Sequence, residues 1–207
     1  MTSRLPIGVL VSGSGTNLQS IIDQKEAGEL SVEIKVVISN VKDAYAIQRA
    51  EIHGIEVKYI SHKSFSSREA FDTELTNILE SYGVQLVVLA GFMRLLSADF
   101  VSHWMFRLIN IHPSLLPAFP GLNAQRQAFE HGVKVTGCSV FFVDEGVDTG
   151  PIIIQASVPV LSDDTPERLA SRILQEEHRI LPLAIQWIAD EAIRIEGRRV
   201  NTPHDPQ

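Results

Sequence analysis

The sequence predicts an α/β fold: a single-domain open twisted sheet, mostly parallel, with helices on both faces. Three observations carry this. Strand-like and helix-like patterns alternate as βαβαβαβ through the first 90 residues. The run VQLVVLAG at 84–91 is continuously apolar after Gln85, as a strand covered by helices on both faces requires. The glycine-rich SGSGTN at 12–17 lies where the first strand turns into the first helix.

Each element has its own signal. IGVLVSG (7–13) is a short Val- and Ile-containing run that ends in turn residues, and NLQSIIDQKEAGEL follows with Leu18, Ile21 and Ile22 at helical spacing. VEIKVVISN (32–40) reads as a second strand, DAYAIQRAEIHG as a helix closed by Gly54, and IEVKYI as a third strand. FSSREAFDTELTNILESYG is the clearest helix. Ser66 or Ser67 caps it, Phe71, Leu75, Ile78, Leu79 and Tyr82 form one face, and Gly83 ends it. RLINIH (107–112) is the strand after 84–91, and LNAQRQAFEHG is a helix stopped by Gly132. VTGCSVFFV and GPIIIQASVPV are two further strands around the loop DEGVDTG. A long helix starts at Thr165–Pro166, with Pro182 expected to kink or divide it. The polar tail, 201–207, is expected to fray.

Bulk properties narrow the function. The 207 residues are enough to bury a sizeable core, and 44% apolar with 21% charged residues is ordinary for a globular enzyme. A net charge of -7 argues against a broad phosphate-contacting surface for nucleic acid. The one cysteine, Cys138, excludes a disulfide within the chain and sits in an apolar run, where it reads as a small buried hydrophobe. No apolar run reaches membrane length, so the protein is expected in the cytoplasm with small-molecule partners and no membrane.

Two features point to chemistry. In SGSGTN, Gly13 and Gly15 let the backbone approach a ligand, and Thr16 and Asn17 either cap the helix or bond a phosphate oxygen. The loop lacks the third glycine of a dinucleotide site and the lysine of a P-loop, so a monophosphate suits it better; a tight turn with a cap is the plain alternative. In NIHPSLLPAFPG (110–121), Asn110 and His112 point to the same side of a strand. Pro113 ends that strand, so both lie at its carboxyl end, where ligands bind in open α/β sheets. Asn supplies a neutral donor for a developing oxyanion, and His moves a proton near neutral pH. A carboxylate would orient the ring. Asp148 is the best candidate, with Asp144 and Glu145 as rivals. Satisfying buried backbone at a strand end is the alternative role for Asn110 and His112. One His and one Asp are too few for a metal site, and none is expected.

NIHPSLLPAFPG followed by DEGVDTGPII, with SGSGTN, SREAFD (67–72) and LAGFMRLLS (89–97), resembles the folate-dependent formyltransferase family from about residue 7 to about residue 189. The resemblance implies a Rossmann-like formyltransferase fold across 1–207, with a phosphate-binding half at 1–100 and a folate and catalytic half at 101–190. It implies formyl transfer from 10-formyltetrahydrofolate, as co-substrate, to the amine of 5-phosphoribosyl-glycinamide in purine (IMP) biosynthesis. Asn110, His112 and Asp148 match the catalytic set. Gly15, Thr16, Asn17 and Glu177 match contacts to the ribotide. Arg68, Leu89, Met93, Arg94, Leu95, Leu96 and Val101 match the folate pocket, and Asp144, Glu145, Gly146 and Val147 match the backbone that reads the pterin edge. Plain core packing is the other reading of FMRLLS. LNAQRQ after Gly121 and Phe141 depart from the family where some relatives carry histidines. Related tRNA formyltransferases carry an added C-terminal domain and formyltetrahydrofolate hydrolases an N-terminal one, for which this chain is expected to have no room. Monomer and homodimer both stay open.

Overall fold

A computed structural model describes residues 4–203. The elements follow in the order β1 (Leu5–Val11), α1 (Thr16–Glu26), β2 (Val32–Ser39), α2 (Tyr45–Ile52), β3 (Val57–Tyr59), α3 (Arg68–Ser81), β4 (Leu86–Leu89), α4 (Ala98–His103) and β5 (Leu108–His112). Then come α5 (Ala124–His131), β6 (Val135–Phe142), β7 (Ile152–Pro159), α6 (Pro166–Ala189), β8 (Arg194–Glu196) and β9 (Arg199–Asn201). The strand order is β3-β2-β1-β4-β5-β6-β7 in a seven-stranded sheet, and β8-β9 is a separate ribbon. The chain divides into two compact units between Asn110 and Ile111.

In the first unit every pairing is parallel: β1 with β2 and β4, β2 with β3, and β4 with β5. Ile7 to Val11 on β1 and Leu86 to Leu89 on β4 are buried whichever way they point, which is why these runs do not alternate. Ser67 caps α3, its hydroxyl accepting from the Ala70 N–H, and Phe71, Leu75 and Leu79 form the buried stripe.

The second unit is built on the antiparallel pair β6–β7, with α6 against both strands and against α5. Gly137 lies close against the backbone of β7: a Cβ there would lie 1.9 Å from the Ala156 carbonyl oxygen. Beyond β7, Arg172 of α6 donates to both carboxylate oxygens of Asp164, at 2.8 and 2.7 Å, and to the Pro159 carbonyl at 2.8 Å. This fork fixes the end of β7 to α6, and the guanidinium holds the Asp164 carboxyl down at about 2.

The structure departs from the sequence reading in four places. Pro182 does not divide α6, which runs unbroken for 24 residues. Leu181, Pro182, Ala184 and Ile185 are buried, and that burial offsets the roughly 3 kcal/mol cost of an interior proline. α4 was not anticipated: six residues are too few to display a period. Asn201, placed with the tail, ends β9, while residues 204–207 lie outside the described residues. Thr16 and Asn17 do not cap α1; its N-cap is Gly15 at φ 71 and no side chain caps it. The Leu116–Pro117 bond is cis. Among the described residues no helix is long and apolar enough to cross a membrane.

Two outcomes follow from this packing. Gly137→Ala should cost about 3 kcal/mol of unfolding free energy in urea titrations, because backbone and not a side-chain tip occupies the space. Because the folded Asp164 carboxyl is depressed from 3.8 to about 2, its stabilising contribution is complete above about pH 4 and fades as pH falls toward 2. Melting temperature followed through that window should fall more steeply for the parent than for Asp164→Asn.

Candidate active site

β5 ends at His112 because Pro113 follows it, and the chain turns at once, the Ser114 N–H donating to the His112 carbonyl at 2.9 Å. Asn110 and His112 share one face of the strand. Asn110 is half-buried and stands in register with Leu89 on β4. The His112 side chain is 7% exposed, and its Nε2 lies 2.9 Å from the Phe119 carbonyl. A carbonyl only accepts, so Nε2 carries the proton of that bond. Nδ1 faces Asp148 Oδ2 at 3.4 Å. The ring thus lies between two acceptors; a doubly protonated imidazole satisfies both and a neutral one donates to one.

Both partners are set by unusual backbone. Phe119 has φ 52 and Asp148 φ 55, in the left-handed region. Asp is among the few residues with a side chain that adopt it at low cost. Asp148 Oδ2 also accepts from the Gly121 N–H at 2.8 Å, so one oxygen bridges the end of the 113–121 loop and the imidazole.

Of the rival carboxylates, Asp144 is committed to its own loop. Its Oδ1 accepts from the Gly146 N–H at 3.1 Å and from the Thr149 hydroxyl, and Arg198 stands 3.9 Å from its Oδ2. Glu145, Gly146 and Val147 are exposed at the tip of that loop. Glu177 is buried on α6. Burial first, and then the Glu177 and Glu176 carboxylates, push the Cys138 thiol up to about 12, so it does not ionise near neutral pH.

In the first unit the glycine loop is open. Gly13 and Ser14 are exposed, and α1 starts at Thr16 behind a glycine N-cap that has no side chain to cap it. Gly15 admits no other residue, since a Cβ would meet the Ala46 Cα at 2.7 Å. The Arg49 Nε donates to the Ser14 carbonyl at 2.9 Å and braces the loop. Asn17 is buried in the first turn, and its carbonyl accepts from Ser20.

The segment after β4 runs along the surface. Met93 is 68% and Leu95 63% exposed, so core packing is not their role. Leu89 and Val101 are buried, and Leu96 is half-buried. Arg94 keeps a buried Nε that has no hydrogen-bond partner among the described residues. Burial, and then the Arg94 and Lys63 charges, lower the pKa of His62. Arg68 is exposed at the start of α3, 3.4 Å from Glu69.

Residues 5–185 match the formyl transferase family. The chain belongs to that family. Among solved structures it resembles glycinamide ribonucleotide transformylase 1 from Symbiobacterium toebii, with TM-score 0.95 and 53% identity over 98% of this chain and 95% of that one. It is 46% identical over 189 residues to phosphoribosylglycinamide formyltransferase of Escherichia coli (strain K12), covering 91% of this chain and 89% of that protein. It is also 50% identical over 189 residues to the trifunctional purine biosynthetic protein adenosine-3 of Drosophila melanogaster. The alignment takes in 90% of this chain, which spans only 14% of that relative's length.

Several residues around the site of this formyl transferase escaped the sequence reading. The Phe119 carbonyl is backbone and carries no signal in residue type. Ser12 lies inside the glycine motif, yet its role is lateral: its hydroxyl donates to Asn40 Oδ1 at 2.6 Å and accepts from the Met93 N–H at 2.8 Å. Ser139 and Gln155 look like ordinary strand residues, but both bond the loop after β5. Among the described residues no group of three or more His, Cys, Asp or Glu is placed to hold a metal.

Asp148→Asn should unfold in urea within about 1 kcal/mol of the parent, since Asn tolerates the same φ and still accepts from Gly121. Asp148→Ala loses both and should cost about 2 kcal/mol.

Proposed function

We propose that this chain transfers a formyl group from 10-formyltetrahydrofolate to the amine of 5-phosphoribosyl-glycinamide, as in de novo purine biosynthesis. The observation that carries this reading is the His112 imidazole held between Asp148 and the Phe119 carbonyl, two residues beyond Asn110 on one face of β5.

In the proposed reaction the amine nitrogen attacks the formyl carbon, and an oxyanion develops on the formyl oxygen. The Asn110 amide donates to that oxygen as its charge grows. His112, as the neutral tautomer that keeps its proton on Nδ1 toward Asp148, turns a free Nε2 from the Phe119 carbonyl to the attacking nitrogen and takes a proton from it. It returns a proton to N10 of the folate as the N10–carbon bond breaks. Asp148 keeps the ring oriented through Nδ1. No atom is gained or lost beyond the formyl group and one proton. The ribotide phosphate is assigned to Gly15, Thr16 and Asn17, where the N-terminus of α1 opens on a glycine N-cap, and Glu177 is assigned to the same substrate. The folate is assigned to Arg68, Leu89, the segment from Met93 to Leu96, Val101 and the loop from Asp144 to Val147. The exposed Met93 and Leu95 and the unpartnered Arg94 Nε support that assignment, because neither is explained by folding alone.

Absorbance at the folate chromophore, followed with and without the ribotide, tests the reading. Deformylation should require the ribotide and give formylated product one for one. Free formate without the ribotide would mean a hydrolase instead. His112→Asn should keep the parent melting temperature and lose turnover by on the order of 10² or more; near-normal turnover removes His112 from the mechanism.

A further inference from the structure

One buried carboxylate in the first unit has no part in the transfer proposed above. Asp72, on the inner side of α3, is 2% exposed. Its Oδ2 accepts from the Ser97 N–H at 2.6 Å. Its Oδ1 is buried with no hydrogen-bond partner among the described residues. Desolvation pushes the carboxyl upward against the Ser97 bond and the Arg68 charge, with Glu69 adding to the rise. A half-satisfied buried acid is costly to folding, so its use lies in what it holds.

It holds the far end of the segment that follows β4. Ser97 is the N-cap of α4, its hydroxyl accepting from the Phe100 N–H at 3.4 Å. The near end is tied by the Ser12 hydroxyl to the Met93 N–H. Between these ties Met93 and Leu95 project outward, so the core gives them little anchorage. The course of the backbone is therefore set by its two polar pins, and the one at Ser97 is charge-assisted and the shorter of the two.

We propose that Asp72 is a positioning residue for the folate co-substrate: by gripping the Ser97 N–H it fixes the strap that presents Met93, Arg94 and Leu95. This rests on the formyl-transfer reading. Asp72 touches no reacting atom.

The test uses the full chain with Asp72→Asn and Asp72→Ala. The readouts are KM for each substrate, kcat, and the Kd of tetrahydrofolate from quenching of tryptophan fluorescence. Folate KM and Kd should rise in the order Asp, Asn, Ala, by about threefold for Asn and about tenfold for Ala, as a charged acceptor becomes neutral and then absent. Ribotide KM should stay within about twofold, since the glycine loop is untouched. Parallel rises in both KM values, or a lowered melting temperature with unchanged folate affinity, would overturn the proposal. If Asp72→Ala fails to fold, Asp72→Asn decides alone: unchanged folate KM and Kd would overturn it. Failure of the underlying reading looks different, because the parent protein would then show no ribotide-dependent deformylation at all.

Discussion

The hydroxyl of Ser139 holds the turn that follows β5. It is fully buried on β6, donates to the Ser114 carbonyl at 2.7 Å, and accepts from the Leu116 N–H at 3.1 Å and the Gln155 amide at 2.8 Å. Gln155 reaches on to the Leu116 carbonyl at 3.0 Å, and the Ser114 hydroxyl closes the loop on the Ala118 carbonyl. Without this knot, buried peptide groups of the loop would stand unpaired, at about 1–3 kcal/mol each. Two atoms that meet the His112–Asp148 pair, the Phe119 carbonyl and the Gly121 N–H, lie on the same loop. The geometry around the imidazole is therefore a property of the β6–β7 pair as much as of β5.

The first unit uses the same device with different residues. Short polar side chains, Ser12 and Asp72, take hold of backbone N–H groups at Met93 and Ser97 and leave the intervening side chains free to face outward. A strand interior needs no such help, because its ladder satisfies it. Irregular segments that must keep one shape while exposing apolar groups do need it, since they bury too little to be held by packing.

How much of this could be read from the sequence follows the range of each interaction. The strands of the first unit were legible because burial on both faces imposes unbroken apolar runs, as at 84–91. α3 was legible from its stripe and cap. Asn110 and His112 stood out because a proline directly after a histidine fixes where the strand stops. Asp148 was preferred to Asp144 and Glu145 within the Gly-rich loop that joins two strands; in the structure Asp144 turns inward to Gly146 and Thr149. Ser139, Gln155 and Asp72 were invisible because they bond backbone atoms 23 or more positions away, and residue type does not encode such pairings. The continuity of α6 through Pro182 was hidden for the opposite reason: the local rule against an interior proline is strong, and the burial that offsets it is tertiary.

Helix α1 opens on a bare glycine. An anion that docked there would meet peptide dipoles worth about half an elementary charge, beside the Arg49 guanidinium that braces the Ser14 carbonyl. Neither peptide N–H groups nor an arginine changes charge near neutral pH, so such a site would keep the same strength there. Occupancy by a phosphate monoester would then follow the ligand's own second ionisation, near 6. In acid it is the visitor that changes charge, while its host stays the same.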